Sequence, residues 1–159
     1  MASYSSRHAS QLAPLRVIEI RRVTFLQISQ VDVVSQQFSA HIYIECAIID
    51  GALDPALAES DNQMTKFPNG EWPVVPSALW YLENQFNFSN ALDHEVREVK
   101  VIKGPRDLVM IKRVYGTFSS VMDLHDFPFD AQRVPISIEV LCAANGPFPI
   151  QLVKSPAIG

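Results

Sequence analysis

The stretch QFSAHIYIECAII, residues 37–49, alternates with a period of two: Phe38, Ala40, Ile42, Ile44, Cys46 and Ile48 fall on one face, and Ser39, His41, Tyr43 and Glu45 on the other. Successive side chains of a strand point to opposite faces, so this pattern predicts a strand with one face in a core and one in water. Upstream, RVIEIRRVTFLQIS (16–29) has the same habit, and downstream PISIEVLC (135–142) alternates Ile136, Ile138 and Val140. Both are rich in β-branched residues, which suit a pleated, half-buried surface. EVKVIKGPRDLVMIKRVYG (98–116) reads as two strands joined at Lys103-Gly104-Pro105-Arg106-Asp107, because Gly and Pro supply turn geometry.

Helix has few places. ALDPALAES (52–60) fits one short helix with Asp54 as its cap and Pro55 in the first turn, and Ala9 to Leu12 fits another near the N-terminus. KFPNGEWPVVPSALWYLENQ (66–85) carries three prolines and a Pro-Asn-Gly turn signal, so it reads as loop and irregular edge. No composition shift marks a boundary. The expectation is an all-β protein: a polar lead-in at 1–14 with a short N-terminal helix, then one antiparallel, immunoglobulin-like β-sandwich over 15–159.

Composition excludes several functions. A chain of 159 residues with 48% apolar content buries a core without staples, and a net charge of -4 gives no basic field for nucleic acid. No run reaches the ~18 apolar residues of a membrane-spanning helix, and the N-terminus lacks the apolar core of a secretory signal. Cys46 and Cys142 lie in apolar runs with no zinc spacing, so both are expected as buried thiols. His8, His41, His94 and His125 form no metal pattern and are expected to be solvated or hydrogen-bonded. Asp126 with Asp130, and Glu95 with Glu98, read as solvated charge rather than a catalytic pair. With no Gly-x-Ser-x-Gly and no phosphate loop either, the chain is expected to be neither an enzyme nor a cofactor carrier.

The stretch SSVMDLHDFPFDAQRV (119–134) sets Phe127, Pro128 and Phe129 among aspartates. Pro128 fixes its own φ and pushes Phe127 toward extended geometry, while burying the two rings anchors the turn by ~1.5 to 3 kcal/mol each. Asp123 and Asp130 are short acceptors suited to nearby backbone amides. In Met122, Asp123, Leu124, Phe127, Pro128, Phe129, Asp130 and Gln132 the stretch resembles the signature loop of the pentameric ligand-gated ion channels, the Cys-loop receptor superfamily. VTFLQISQVDVVSQQF (23–38) is similar to that family's first-to-second strand passage. Asp50 and Leu53 resemble its Trp-x-Asp-x-x-Leu element, and PSALWYLENQFNFSNA (76–91) its Trp-containing segment ending in Asn90-Ala91. The match runs from about Val17 to Val140.

Departures accompany it. Ser120 and Val134 stand where the family has its two loop cysteines, so packing and hydrogen bonds must hold this loop. Ile48 replaces the tryptophan ahead of Asp50, and the aromatic of the first binding loop falls among Phe86, Phe88 and Ser89. The strands bearing the family's capping loop would lie beyond Gly159, so that wall of the pocket and a covered sheet edge are not expected within these residues.

What the resemblance implies is a non-catalytic domain on the extracellular face of a membrane that binds a small ligand between subunits. Trp80, Phe86 and Phe88 are its candidate ligand residues, and Asp123, Phe127, Pro128, Phe129 and Asp130 its signature loop. The competing expectation is a soluble structural or assembly subunit without a small ligand. Either way the chain is expected to associate, with itself as a homo- or hetero-oligomer or with another protein that covers an exposed sheet edge.

Overall fold

A computed structural model describes residues 15–55, 57, 63–65, 86–122, 134–141 and 149–158. Eight strands dominate them: β1 (Arg16–Asp32), β2 (Gln37–Ile48), β3 (Gln63–Thr65), β4 (Phe86–Phe88), β5 (Ala91–Lys103), β6 (Leu108–Ser119), β7 (Ile138–Val140) and β8 (Ile150–Lys154). Six form one sheet in the order β3-β5-β6-β2-β1-β8, and β4 pairs with β7 in a second. The all-β expectation holds, as a two-sheet arrangement. One pair departs from the antiparallel rule, since β8 runs parallel to β1, Arg16 opposite Ile150 through Ile20 opposite Lys154.

The core follows the period-two reading of β2. Phe38, Ala40, Ile42, Ile44, Cys46 and Ile48 are all buried, joined by Leu108, Met110, Val114 and Phe118 from β6, Ile18 and Ile20 from β1, and Val99 and Val101 from β5. The second sheet closes over them through Phe88. Lys112 also points into this face, 1% exposed, opposite Ile44 and Val99. Cys46 is a free, buried thiol. Burial pushes it up to about 12 while Lys112 acts in the opposite sense, so it stays protonated and inert.

The turn at Lys103 to Asp107 forms as expected, with Gly104 N donating to Asp107 O at 2.9 Å. Most of the short helix expected over 52–60, residues 56 and 58–60, lies outside the described residues. A 3-10 turn occupies Gly51–Leu53 and Asp54 ends it, accepting from Leu57 N at 2.9 Å in one further turn. Asp50 leads into that turn at φ 55, in the left-handed region. Its backbone N–H is held by Asp107 Oδ1 (2.9 Å), and its own Oδ1 accepts from Arg106 Nε and Nη2 (3.0 and 2.8 Å). This cross-link ties the 3-10 turn to the β5–β6 hairpin. The short helix expected at Ala9 to Leu12 lies outside the described residues.

Asp107 also accepts from Arg21 Nη2 at 2.9 Å. Its carboxyl is held below the usual range, chiefly by the Asp50 amide and then by Arg21, against the opposing effect of partial burial. A carboxyl depressed in the folded state contributes stability that is present above its unfolded pKa of ~3.9 and is lost as pH falls through the folded value. Asp107→Asn is therefore expected to flatten the acid limb of a plot of urea midpoint against pH and to lower the neutral plateau slightly. An unchanged acid slope would exclude this carboxyl as a source of acid sensitivity.

Candidate functional site

The outward face of the six-stranded sheet, opposite the core, carries a cluster of ion-paired and aromatic side chains. Register builds two ladders across β2, β6 and β5. His41 lies opposite Tyr115, which lies opposite Glu95; Tyr43 lies opposite Arg113, which lies opposite Glu98. A bulge in β5 between Val96 and Glu98 then inserts Arg97 as an extra residue. A bulge bends the strand and re-aims side chains. Val96 consequently packs against the core, while Arg97 sits over the Tyr115 ring, 5.8 Å from its centroid.

Ion pairs organise this face. Arg113 Nε lies 3.5 Å from Glu98 Oε2, Arg97 Nη2 lies 3.1 Å from Glu95 Oε2, and Lys100 Nζ lies 3.9 Å from Glu98 Oε1. Such exposed pairs contribute roughly 0 to 1 kcal/mol each, so they position side chains more than they stabilise the fold. Arg22 lies over Tyr43 at 5.6 Å, and Tyr43 Oη donates to Glu45 Oε2 at 3.3 Å. Burial, then the Glu45 charge, pushes the Tyr43 hydroxyl up.

His41, Arg97, Glu98, Arg113 and Tyr115 line a cleft of about 410 Å3 on this face. His41 Nε2 is shut off from solvent with no hydrogen-bond partner among the described residues. That corrects the expectation of a solvated or hydrogen-bonded histidine. Leaving such a nitrogen without a partner costs on the order of 1 to 3 kcal/mol, and buried polar groups generally find a protein or water partner.

The expected aromatic candidates fall elsewhere. Phe88 is 3% exposed and lies in the core, edge-on to Phe118 at 6.0 Å and to His94 at 5.3 Å, so its ring offers no face to a ligand. Phe86 pairs with Val140 through its backbone. Trp80 lies outside the described residues, as do Cys142 and the signature-loop residues Asp123, Phe127, Pro128, Phe129 and Asp130. The residues flanking that loop are described. Ser120 is buried and its N–H donates to Gln36 O at 2.9 Å, while Val134 packs against the core. Ser120 is thus tied by its backbone to the β1–β2 turn.

That pole has its own chemistry. Ser35, Gln36, Asn90, Ser119, Ser120, Val121, Pro135 and Ser137 surround a polar cleft of about 530 Å3. Asp32 Oδ1 accepts from Val34 N and Ser35 N, fixing the β1–β2 turn. Val34 and Val121 project beside it, 92% and 89% exposed. No group of His, Cys, Asp and Glu suited to a metal occurs among the described residues, and no helix among them is long and apolar enough to cross a membrane.

No protein-family model matches the chain, and no curated protein matches it. The site residues that sequence reading passed over are Arg97, Arg113 and Tyr115. Alternation alone assigns Arg97 and Glu98 to opposite faces, and only the bulge unites them.

Proposed function

We propose that this chain is a non-catalytic binding module of the kind it resembles, the extracellular ligand-binding domain of a pentameric ligand-gated channel, recognising a small ligand between subunits. The observation carrying this reading is the outward sheet face, where a cleft gathers two guanidinium groups, a tyrosine and the unpartnered His41 nitrogen. A face held by ion pairs yet leaving a buried polar atom unsatisfied suits a surface completed by something outside the chain. The resemblance adds a route for the signal. In the resembled channels the loop that follows Ser119 lies at the base of the domain and transmits ligand occupancy to the pore. The exposed side chains of Val34 and Val121, beside the residues that enter this loop, support that route.

A second reading, a structural or assembly subunit, is favoured by a different feature. Ile20, Val23, Phe25, Ile136, Ile138, Leu152 and Ile158 line an apolar groove of about 430 Å3 beside β8, the last strand of its sheet among the described residues. Unpaired strand edges next to apolar surface invite another chain.

Native mass by light scattering across a dilution series separates the two. A five-fold mass is the expected result and supports a ring of copies. A monomer at high concentration, or a mass set by an unrelated co-purifying protein, removes the ring and leaves the second reading.

A further inference from the structure

We infer that Asn87 is the attachment site of an N-linked glycan that covers the outward face of the β4–β7 sheet; the inference rests on reading the chain as an extracellular, ring-forming domain. Asn87-Phe88-Ser89 has the acceptor pattern of asparagine, any residue but proline, then serine or threonine. No other asparagine in the sequence has a hydroxyl residue two positions on. A glycan is bulky and hydrated, so the folded chain must leave its asparagine open to water. Alternation along β4 provides this. Phe88 is 3% exposed and fills the core, which turns Asn87 to the opposite face. Asn87 is partly exposed there, and Ser89 is exposed at the turn that follows the strand.

The surroundings of both side chains suit the modification. Asn87 lies opposite Glu139 in register, and its Nδ2 donates to Glu139 Oε1 at 3.2 Å on the exposed side of the strand pair. A side-chain amide nitrogen carries two hydrogens, and attachment replaces one. The other remains for Glu139, so this bond orients the amide without competing with the sugar. Ser89 is fixed by its backbone, whose N–H donates to Ser137 O at 3.0 Å, while its Oγ makes a long 3.5 Å contact to the same carbonyl. The co-reactant is an oligosaccharide carried on a polyprenyl diphosphate, delivered by a transferase of the secretory lumen. A C–N bond forms from Nδ2 to the anomeric carbon as the C–O bond to the diphosphate breaks. Nδ2 gives up one proton, and the polyprenyl diphosphate leaves with the bonding pair. A glycan here shields the two-stranded sheet and confines any boundary between copies to other faces.

The test expresses the whole chain behind a secretory signal in a eukaryotic cell line and reads its intact mass before and after peptide N-glycosidase. Peptide mass spectrometry then locates the asparagine that the release converts to aspartate. A loss of mass with conversion at position 87 is the expected result. Asn87→Gln and Ser89→Ala are each expected to abolish the loss, and Ser89→Thr to retain it. The two variants remove the acceptor through different surface side chains, so a folding defect in one leaves the other to decide. Unmodified mass in the parent, or a releasable glycan that persists in both variants, overturns the assignment. Light scattering on the parent and Asn87→Gln separates this site from the reading beneath it. A glycosylated five-fold assembly supports both. Monomers in parent and variant alike, with the parent glycosylated, keep the site and remove the ring. A ring without a glycan keeps the ring and overturns the site. A ring that forms only in Asn87→Gln puts this face in the boundary between copies and overturns its assignment to a glycan.

Discussion

Phe118→Ala is expected to remove about 3 to 5 kcal/mol of stability, a large part of the ~5 to 15 kcal/mol that holds an ordinary domain together. Phe118 is fully buried where the two sheets meet. Its ring stacks on Phe38 of β2 at 5.6 Å and meets Phe88 of β4 edge-on at 6.0 Å. Its backbone sits between Phe38 and Ala91 in register. Two neighbouring strands fix the position from either side, so the hole left by truncation cannot close by a local shift, and the loss falls toward the upper end of the range. Phe118→Leu keeps most of the volume and is expected to cost about 1 to 1.5 kcal/mol. Phe25→Ala provides the contrast. That ring is 6.4 Å from Phe38 but only half buried, so its removal should cost clearly less. Guanidinium unfolding of the three variants makes the comparison, with Phe118→Leu informative even if the alanine variant fails to fold. Equal losses at positions 118 and 25 would refute Phe118 as the junction of the sheets.

The importance of Phe118 was not legible in the sequence, although its strand was. Alternation fixed the core face of β2 because one stretch presents six apolar residues in strict register, and a shift by one would expose all of them. The β5–β6 hairpin was equally legible, since Gly104 and Pro105 leave the backbone few alternatives. Reading failed where a distant contact overrides local preference. The 3-10 turn at Gly51–Leu53 has no local signal, because Arg106 and Asp107 hold Asp50 from the adjoining β5–β6 hairpin. Parallel pairing of β8 with β1 has no local signal, because it joins segments over a hundred residues apart.

The candidate site was hidden for a related reason. Strict alternation outward from Val99 and Val101 sends Arg97 toward the core and Val96 toward solvent. The bulge reverses both, and so sets a second guanidinium beside Arg113. A valine and an arginine in consecutive positions favour the bulged register, since the alternative buries a charge and exposes an apolar side chain. That conflict was present in Val96-Arg97-Glu98, and it is the sequence signal by which such a site can be found. Gly116 marks a second, separate distortion of β5, between Ala91 and Asp93. A Cβ there would come within 2.7 Å of Asp93 O, because β5 approaches closely at its first irregularity.

At the opposite pole, Asn90→Ala is expected to cost about 2 kcal/mol and, more tellingly, to loosen one segment selectively. The Asn90 amide is a three-way clamp. Nδ2 donates to Ser119 O at 3.0 Å and to Pro135 O at 2.9 Å, and Oδ1 accepts from Ser137 N at 2.9 Å. Two carbonyls and one N–H fix which end of the amide is which. Each bond contributes about 0.5 to 1.5 kcal/mol, and water restores part of that at this partly exposed position. Ser89 N to Ser137 O, 3.0 Å, then remains as the adjacent link between the β4–β5 turn and residues 134–137. Those residues return from the segment that begins after Met122, so the clamp ties both ends of that segment to the end of β6. Hydrogen exchange is the measurement. The Ser137 and Ser89 amides should exchange faster in Asn90→Ala, with the amides of Tyr43 and Arg113 in the middle of the sheet unchanged. Asn90→Asp should be no better than alanine, because it preserves the acceptor for Ser137 but sets an oxygen against the Ser119 and Pro135 carbonyls. Uniform acceleration across the sheet would make Asn90 a contributor to global stability alone, and an Asp variant as protected as the parent would remove the two donor bonds from the account. The selective outcome makes Asn90 the side chain that holds residues 134–137 beside the end of β6, with the Ser89–Ser137 backbone bond as its second support.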